Sequence, residues 1–389
     1  MLCNIQCCFM NSFPIKDFQG VSTPFYYYDV ALLRRTLAEL CARSPRGSVV
    51  HYALKANSNR ALLRVIAAYG LGADCVSGGE IALAVESGFA PGKIVYSGVG
   101  KTDREINMAL SVGIGCFNVE SVAELGVIDA LAADAGVIAP VAIRVNPHID
   151  AHTHHYITTG LSENKFGVDI SQIPDVVEYV MRLSHVRLRG VHFHIGSQIV
   201  SMQPYETLCA TINKLQDDLE SRGVKMDYIN VGGGLGVDYE DPDRHAIPDF
   251  ASYFDTFSTR LKMREGQILH FEPGRSIVCQ CGTLIARVLY VKEGLNKSFV
   301  IVDAGMTDLM RPALYQAKHK IENITSRGPE RMYDVVGPIC ETSDSFGSAI
   351  MLNEAQRGDL IAIRSAGAYG ESMASRYNSR NLPGVLLNE

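Results

Sequence analysis

The stretch Ser48-Val-Val-His-Tyr-Ala-Leu-Lys55-Ala-Asn57 is apolar and β-branched over most of its length, closes on Ala-Asn and runs into a helical pattern. It reads as a buried strand. Lys55 stands where that strand runs out. Lysine is almost never buried without a partner. At the end of a parallel strand, however, its stem can lie along an apolar wall while the amine reaches a cleft. An amine desolvated there becomes a nucleophile, able to form a Schiff base with an aldehyde. On this stretch alone, a lysine snorkelling from a strand end is the plainer reading.

Outward from Val49, the same pattern repeats. Strand-like runs end near Lys55, Ser77, Ser97, Asn118, Asn146, His194, Gly232 and Glu272. Helical patterns lie between them at 59–69, 79–87, 103–112, 120–134, 171–184, 203–222 and 249–263, and Asp29 is placed to cap a helix through Arg43. About eight strands alternating with helices over roughly 250 residues favour a closed (β/α)8 barrel over an open doubly wound sheet. The runs are apolar rather than alternating, as expected for parallel strands covered on both faces. Active sites of this fold lie at the C-terminal strand ends. Asp74, Ser97, Asn118, Arg144, His194 and Glu272 all fall there. Ser97 and Asn118 read well as ordinary loop residues, whereas Arg144 and His194 do not.

After about residue 275 the rhythm changes. Ile285–Val291, Phe299–Asp303, Met332–Val336 and Asp359–Ile363 read as strands with few helical stretches between them. This predicts an all-β domain, a sandwich or small barrel, joined by the strand at Pro24-Phe-Tyr-Tyr-Tyr28. The expected division is a barrel at 29–272 and an all-β domain from 1–28 and 273–389. The irregular piece at 147–170 reads as a lid.

The 389 residues are 47% hydrophobic and 20% charged with a net charge of -6, which is ordinary for a soluble globular protein. Nothing basic marks a nucleic-acid or anionic-membrane partner. No run approaches the ~20 apolar residues of a membrane helix. Met1–Met10 has neither a basic n-region nor a long apolar core, so the ten cysteines are expected reduced, in a cytoplasmic protein. Cys7, Cys8, Cys279 and Cys281 read as free thiols, since no second pair stands at zinc-site spacing.

Several motifs carry chemistry. His192 and His194, in Gly190-Val-His-Phe-His-Ile-Gly-Ser-Gln198, are two apart on a strand and so share a face. A metal would need further ligands at later strand ends, and an imidazole stacked on a flat ring fits better, so no metal is expected. Asn230-Val-Gly-Gly-Gly-Leu-Gly236 lets backbone N–H groups approach a phosphate, late in the barrel where such sites often lie. Plain tight turns use the same residues. Phe271-Glu-Pro-Gly-Arg275 sets a carboxylate at the end of the last barrel strand. Glu272 could hold a pyridinium nitrogen and Arg275 a phosphate or carboxylate, or the two could simply pair in a turn. Gly337-Pro-Ile-Cys-Glu-Thr342 and Gly367-Ala-Tyr-Gly370 follow strands of the β region. Cys340 reads as a core thiol or, because free thiols in general stay mostly protonated at neutral pH, as a proton donor.

Together these stretches resemble the pyridoxal-phosphate-dependent decarboxylases of the alanine-racemase-type barrel fold, from about Phe13 to Pro383. The carrying residues are Tyr-Ala-Leu-Lys55-Ala-Asn, Gly72-Ala-Asp-Cys-Val-Ser-Gly-Gly-Glu80, His192-Phe-His-Ile-Gly-Ser-Gln198, Gly-Gly-Gly-Leu-Gly236, Glu272-Pro-Gly-Arg275, Cys340-Glu341 and Gly-Ala-Tyr369-Gly. The resemblance implies pyridoxal 5'-phosphate as cofactor and Lys55 as the residue that takes its aldehyde. It implies His194 stacked on the ring and Glu272 on the ring nitrogen. Ser197, Gly233, Gly234, Gly274, Arg275 and Tyr369 would surround the phosphate, and Asp74 and Arg144 would shape the pocket. Arg275, Arg311, Tyr315, Glu341 and Tyr369 fall where the family binds the substrate's distal end. Cys340 falls where a partner subunit delivers a proton, which implies a homodimer. The branch most similar to this chain turns meso-2,6-diaminopimelate into L-lysine and CO2, the last step of lysine biosynthesis. One departure is Thr-Ser-Asp after Cys340-Glu341, where the family often has Ser-Gly-Asp.

The rivals are a decarboxylase of ornithine, arginine or carboxynorspermidine, a racemase, a cofactor-binding relative without activity, and a metal hydrolase. Substrates of the first group lack the second carboxylate that Arg311 would meet.

Overall fold

The computed structural model describes residues 13–150 and 165–388. Contacts divide the chain into two units. One holds Arg34–Gly236 and Asp249–Ile277; the other holds the described residues up to Leu33, Val237–Pro248 and those from Val278 onward.

Strand β1 (Phe25–Asp29) runs into helix α1 (Val30–Arg43), and Leu32 N donates to Asp29 Oδ1 at 2.8 Å, so Asp29 caps the helix as expected. The barrel strands follow. They are β2 (Val49–Ala53), β3 (Gly72–Cys75), β4 (Ile94–Tyr96), β5 (Cys116–Val119) and β6 (Ala139–Asn146), then the two-residue β7 (Val168–Asp169), β8 (Val186–Phe193), β9 (Tyr228–Asn230) and β10 (Ile268–Phe271). Pairing runs β5-β4-β3-β2-β10-β9-β8-β6, and β5 also pairs with β6. That last pairing closes a parallel barrel, with β7 as an addition on β6. Helices α2 (Arg60–Ala68), α3 (Gly78–Glu86), α4 (Asp103–Val112), α5 (Val122–Asp134), α6 (Ile173–Val180), α7 (Gln203–Ser221) and α8 (Phe250–Arg260) alternate with the strands.

The connections stay short because many helices begin on a capping side chain. Ser77 accepts from Glu80 N, Ser121 from Glu124 N and Asp249 from Ser252 N, while Thr102 and Glu105 form a capping box. One expectation needs correction. The Ser48–Asn57 run is a strand only to Ala53; Leu54–Ala56 is a single 3₁₀ turn. Tyr52 Oη donates to Asn57 O at 2.8 Å and holds that turn against the strand end.

Inside the barrel, Val95, Cys116, Ala142 and Tyr228 pack together. Beside Tyr228, His51 and His270 are stacked, and His51 Nε2 lies 2.8 Å from His270 Nδ1. His51 Nδ1 faces Lys93 O at 3.0 Å, so that nitrogen carries the proton. With a neutral His51, Nε2 accepts and His270 donates. Burial, and then His51, pushes the His270 pKa down to about 3.

After helix α9 (Arg275–Val278) come β11 (Gly282–Glu293), β12 (Ser298–Val302), helix α10 (Arg311–Tyr315), β13 (Ile321–Asn323), β14 (Glu330–Val336), β15 (Ser345–Asn353), β16 (Leu360–Ile363) and β17 (Gly384–Asn388). They form a mixed sheet in the order β13-β16-β11-β12-β14-β15, with β1 antiparallel to β11 and parallel to β17. The strand at Phe25 thus joins this sheet, packing Phe18, Phe25 and Tyr27 on Ile285, Leu360 and Ala362. Strands β13, β15 and β17 add to those expected. Val237–Pro248 also belongs here, so the barrel unit is not the single 29–272 span of the sequence reading. The physical reason is that Gln280 Nε2 donates to Asp238 O at 2.7 Å and Arg364 Nη2 pairs with Asp243 Oδ1 at 2.7 Å.

Of the expected lid, 151–164 lie outside the described residues, as do Cys7 and Cys8. Its far end is tied down, with Gly167 N donating to Glu120 Oε2 at 2.8 Å. Cys279 and Cys281 are free and buried. Among the described residues, no helix is long and apolar enough to cross a membrane.

Candidate active site

Lys55 is the middle residue of the 3₁₀ turn that ends β2. Leu54 and Ala56 on either side are buried, while Lys55 itself is exposed. Asn59 then caps α2 by accepting from Ala61 N at 3.0 Å. The turn thus projects one cation from the C-terminal end of a barrel strand, on a rigid base.

Glu272 follows β10 directly and is 5% exposed. Its Oε1 accepts from Asn230 Nδ2 at 2.6 Å and Asn118 Nδ2 at 3.2 Å. Its Oε2 faces His192 Nε2 at 2.8 Å. Burial alone would raise its pKa, but His192, His51 and Asn230 outweigh burial and hold it well below the ordinary carboxylate range. The result is a buried, ionised carboxylate at the end of the last barrel strand. Asn118 Nδ2 also donates to Ser97 Oγ at 3.0 Å, and Ser97 Oγ to Asp74 Oδ1 at 2.8 Å. Asp74 goes the other way, to about 6. Burial and the nearby Glu272 raise it against the pull of Lys55. The pKa values of two carboxylates in one chain of hydrogen bonds are therefore shifted in opposite directions.

Ser97 and Asn118 are thus no ordinary loop residues. Both are buried and link Asp74 to Glu272. His192 holds Glu272, a role that the pairing of two histidines on one face did not suggest. Its Nδ1 and Asn118 Oδ1 are buried without a hydrogen-bond partner among the described residues.

His194 comes one residue after β8. Its Nδ1 accepts from Gly233 N at 3.4 Å. Burial, then the charges of Lys55 and Arg144, holds its pKa well below the usual histidine value. The neutral ring therefore carries its proton on Nε2. The loop beyond it is laced to the glycine run, since Ile199 N donates to Gly234 O and Gly236 N to Ile199 O, each at 2.9 Å. Arg275, the first residue of α9, donates from Nη2 to Ser197 Oγ at 3.1 Å. The glycines are required by contact. A Cβ on Gly233 would sit 2.1 Å from Glu272 O, and Gly234 has φ +107 with Gly196 O 2.6 Å from where its Cβ would be. A Cβ on Gly274 would stand 3.0 Å from the Cβ atoms of Ala53 and Ala56.

Arg144 pairs with Glu120 at 2.8 Å and lies 4.7 Å from the Phe166 ring centroid. Behind them Lys101, nearly devoid of exposure, donates to Glu124 Oε1 at 2.5 Å and to Asn118 O at 2.8 Å. Sequence reasoning missed Glu120, Lys101 and Glu124. Only their position just after strand ends could have marked them.

In the sheet unit, Arg311 and Tyr315 begin and end α10. Arg311 is 5% exposed, and its Nη1 lies 2.8 Å from His319 Nε2. Cys340 and Glu341 are exposed, on a loop organised by Asp344. The Asp344 carboxylate accepts from Ile339 N and Met306 N, each at 2.6 Å. Tyr369 adopts φ 57 in the Gly367–Gly370 turn. His319 and Asp344 were not foreseen.

The barrel-end set combines an amine, an ionised carboxylate, a neutral imidazole, and an arginine and serine beside a glycine loop. It can hold a protonated ring nitrogen and a phosphate at once. Residues 32–279 match the model of the pyridoxal-dependent decarboxylase pyridoxal-binding domain. With fold and site in agreement, the chain belongs to the pyridoxal-dependent decarboxylases, a family of carboxy-lyases.

Within that family, its similarity is to the diaminopimelate decarboxylases. It is 58% identical over 374 residues to the diaminopimelate decarboxylase of Bacteroides thetaiotaomicron, covering 95% of this chain and 97% of that one. It is 45% identical to that of Helicobacter pylori strain J99 over 93% of this chain and 89% of the relative. The crystal structure of the Helicobacter pylori diaminopimelate decarboxylase complexed with L-lysine superposes with a TM-score of 0.91 at 42% identity, covering 96% of this chain and 94% of that one.

Proposed function

We propose that the chain decarboxylates meso-2,6-diaminopimelate to L-lysine and CO2 with pyridoxal 5'-phosphate as cofactor, in the cytoplasm, as a homodimer. The observation that carries this reading is Glu272, a buried carboxylate kept ionised at the C-terminal end of the same barrel that carries Lys55. When bound, the cofactor supplies an aldehyde for the substrate amine and a protonated pyridine ring that accepts the electron pair left by CO2. Glu272 would keep the proton on the ring nitrogen, because an adjacent anion favours the charged form. Among the described residues Oε2 pairs with His192, which leaves a lone pair on that oxygen for this bond.

Lys55 would hold the aldehyde carbon. His194 would lie on a ring face, its imidazole neutral. Ser197, Gly233, Gly234, Gly274, Arg275 and Tyr369 would hold the phosphate, with Asp74 and Arg144 around the ring. Arg311, Arg275, Tyr315, Tyr369 and Glu341 would bind the distal amino-acid end. The Nε of Arg311 is buried and has no hydrogen-bond partner among the described residues, which suits it to a carboxylate. Cys340 would return a proton to the carbon that loses CO2. Its exposure in the single chain is compatible with delivery into a partner subunit's site.

The test is CO2 release from meso-diaminopimelate, ornithine and arginine under one set of conditions. Preference for diaminopimelate by roughly 1,000-fold or more in kcat/KM is expected, because a site built for a second charged end leaves polar groups unpaired with the others. Equal or greater activity on ornithine or arginine would move this chain to the rival decarboxylases.

A further inference from the structure

His319 stands between two groups that together dictate where its proton lies. Its Nδ1 is 2.8 Å from the carbonyl oxygen of Arg364, which can only accept. Its Nε2 is 2.8 Å from Arg311 Nη1, which can only donate. A ring that satisfies both is the neutral imidazole with the proton on Nδ1. It acts as donor to the backbone and as acceptor from the guanidinium. Arg311 is also covered on one face, since Tyr239 lies 4.7 Å from its guanidinium carbon and the Tyr239 ring stands edge-on to His319 at 5.1 Å. Among the described residues, the guanidinium is thus held by the hydrogen bond to His319 and one aromatic face, and its buried Nε has no hydrogen-bond partner.

From this geometry we propose that His319 is a positioning residue for substrate selection. It accepts a hydrogen bond from Arg311 and so orients the guanidinium toward the distal carboxylate. The inference rests on the assignment of Arg311 to that carboxylate. The acids Asp243 and Glu322 do not replace His319 as acceptor, because both are committed to Arg364 and Lys320. An arginine with its rotamers free loses part of its affinity to ordering, so the acceptor acts mainly on binding and less on the bond-breaking step.

The experiment compares two probes on the cofactor-loaded enzyme, L-lysine, which keeps a carboxylate, and cadaverine, which keeps only the amines. Binding is read from the perturbation of the cofactor absorbance, alongside KM and kcat for meso-diaminopimelate. His319→Phe keeps a ring in the space but removes the acceptor. It is expected to raise KM and the L-lysine Kd about tenfold, the weight of a hydrogen bond to a charged group. Changes in kcat and in cadaverine binding should stay within about twofold. His319→Gln, which can present an oxygen near the place of Nε2, is expected to recover most of the loss. Arg311→Met serves as the reference. If Arg311→Met leaves the L-lysine to cadaverine preference unchanged, the assignment of Arg311 fails. If Arg311→Met abolishes that preference while His319→Phe preserves it, the inference about His319 alone is overturned. A His319→Phe protein that weakens both probes equally, without recovery in His319→Gln, also overturns it, because that pattern is general damage.

Discussion

Inside the barrel, His192 Nε2 lies 2.8 Å from Glu272 Oε2, with both side chains almost wholly buried. The pairing joins strand β8 to the end of β10 and orients the Glu272 carboxylate. If this contact holds the anion in place, His192→Phe costs about 1.5–3 kcal/mol of stability, the range for a hydrogen bond to a charged group. Denaturant midpoints of the two proteins measure it. Glu272→Gln should fold and bind cofactor, yet lose roughly 100-fold or more in turnover, since it removes a charge aimed at the reacting system. Wild-type turnover in Glu272→Gln contradicts the role given to the carboxylate.

The His51–His270 pair predicts acid sensitivity. The His270 pKa is lowered to about 3 in the folded chain, chiefly by burial, against ~6.5 when unfolded. Between those values the unfolded state binds the extra proton, so stability is present above pH ~6.5 and is lost as pH falls toward 3. At pH 4.5 the loss assigned to His270 is about 2.5 kcal/mol. His270→Gln should therefore lose less stability than wild type between pH 7 and pH 4.5, as read from urea midpoints. Glu272, depressed as well, acts in the same direction at lower pH, and the comparison of the two proteins separates the contributions. Equal losses would show that His270 carries its proton in the folded chain too.

Much of the barrel was legible because its signals are local. Strand ends near Ser97, Asn146 and His194 were placed within two residues of those observed at Tyr96, Asn146 and Phe193, since each apolar run stops at a polar residue and a cap such as Thr102 follows. Lys55, Glu272 and the glycine run stood out because their residue types are costly where they fall. The chain Asp74–Ser97–Asn118–Glu272 did not stand out. Asp74, Ser97 and Asn118 are unremarkable one by one and meet Glu272 only when the barrel closes, Asn118 and Glu272 being 154 positions apart. The sheet unit was harder for the same reason. Strand β17 pairs with β1 from the opposite end of the chain, and β13 is three residues long with no period to read. His319 lay in a polar segment, and nothing in its neighbours announced Arg311.

Replacing Lys55, the proposed nucleophile, separates folding from chemistry. Lys55 is exposed on a turn whose neighbours are buried, so Lys55→Ala should leave the melting temperature of the cofactor-free protein near that of wild type. The visible absorbance of bound cofactor and the decarboxylation should both vanish. A yellow, active Lys55→Ala protein removes Lys55 from the site.

Cys340 makes a different prediction. Cys340→Ala should bind cofactor normally and lose most turnover, by roughly 100-fold or more if it acts as general acid. If the active unit is a dimer that shares its sites, mixing inactive Lys55→Ala and Cys340→Ala proteins under subunit exchange should restore up to about a quarter of the activity per site by statistical pairing. Mixtures that stay inactive after exchange is verified by mass would place every catalytic group within one chain.

The most direct test of the whole account is the absorbance spectrum of the purified protein with pyridoxal 5'-phosphate, followed by addition of meso-2,6-diaminopimelate and amino-acid analysis of the product. A yellow protein that releases one CO2 for each L-lysine formed is expected. A yellow protein that leaves diaminopimelate intact would contradict the substrate, and a protein that the cofactor cannot turn yellow would contradict the chemistry assigned to Lys55 and Glu272.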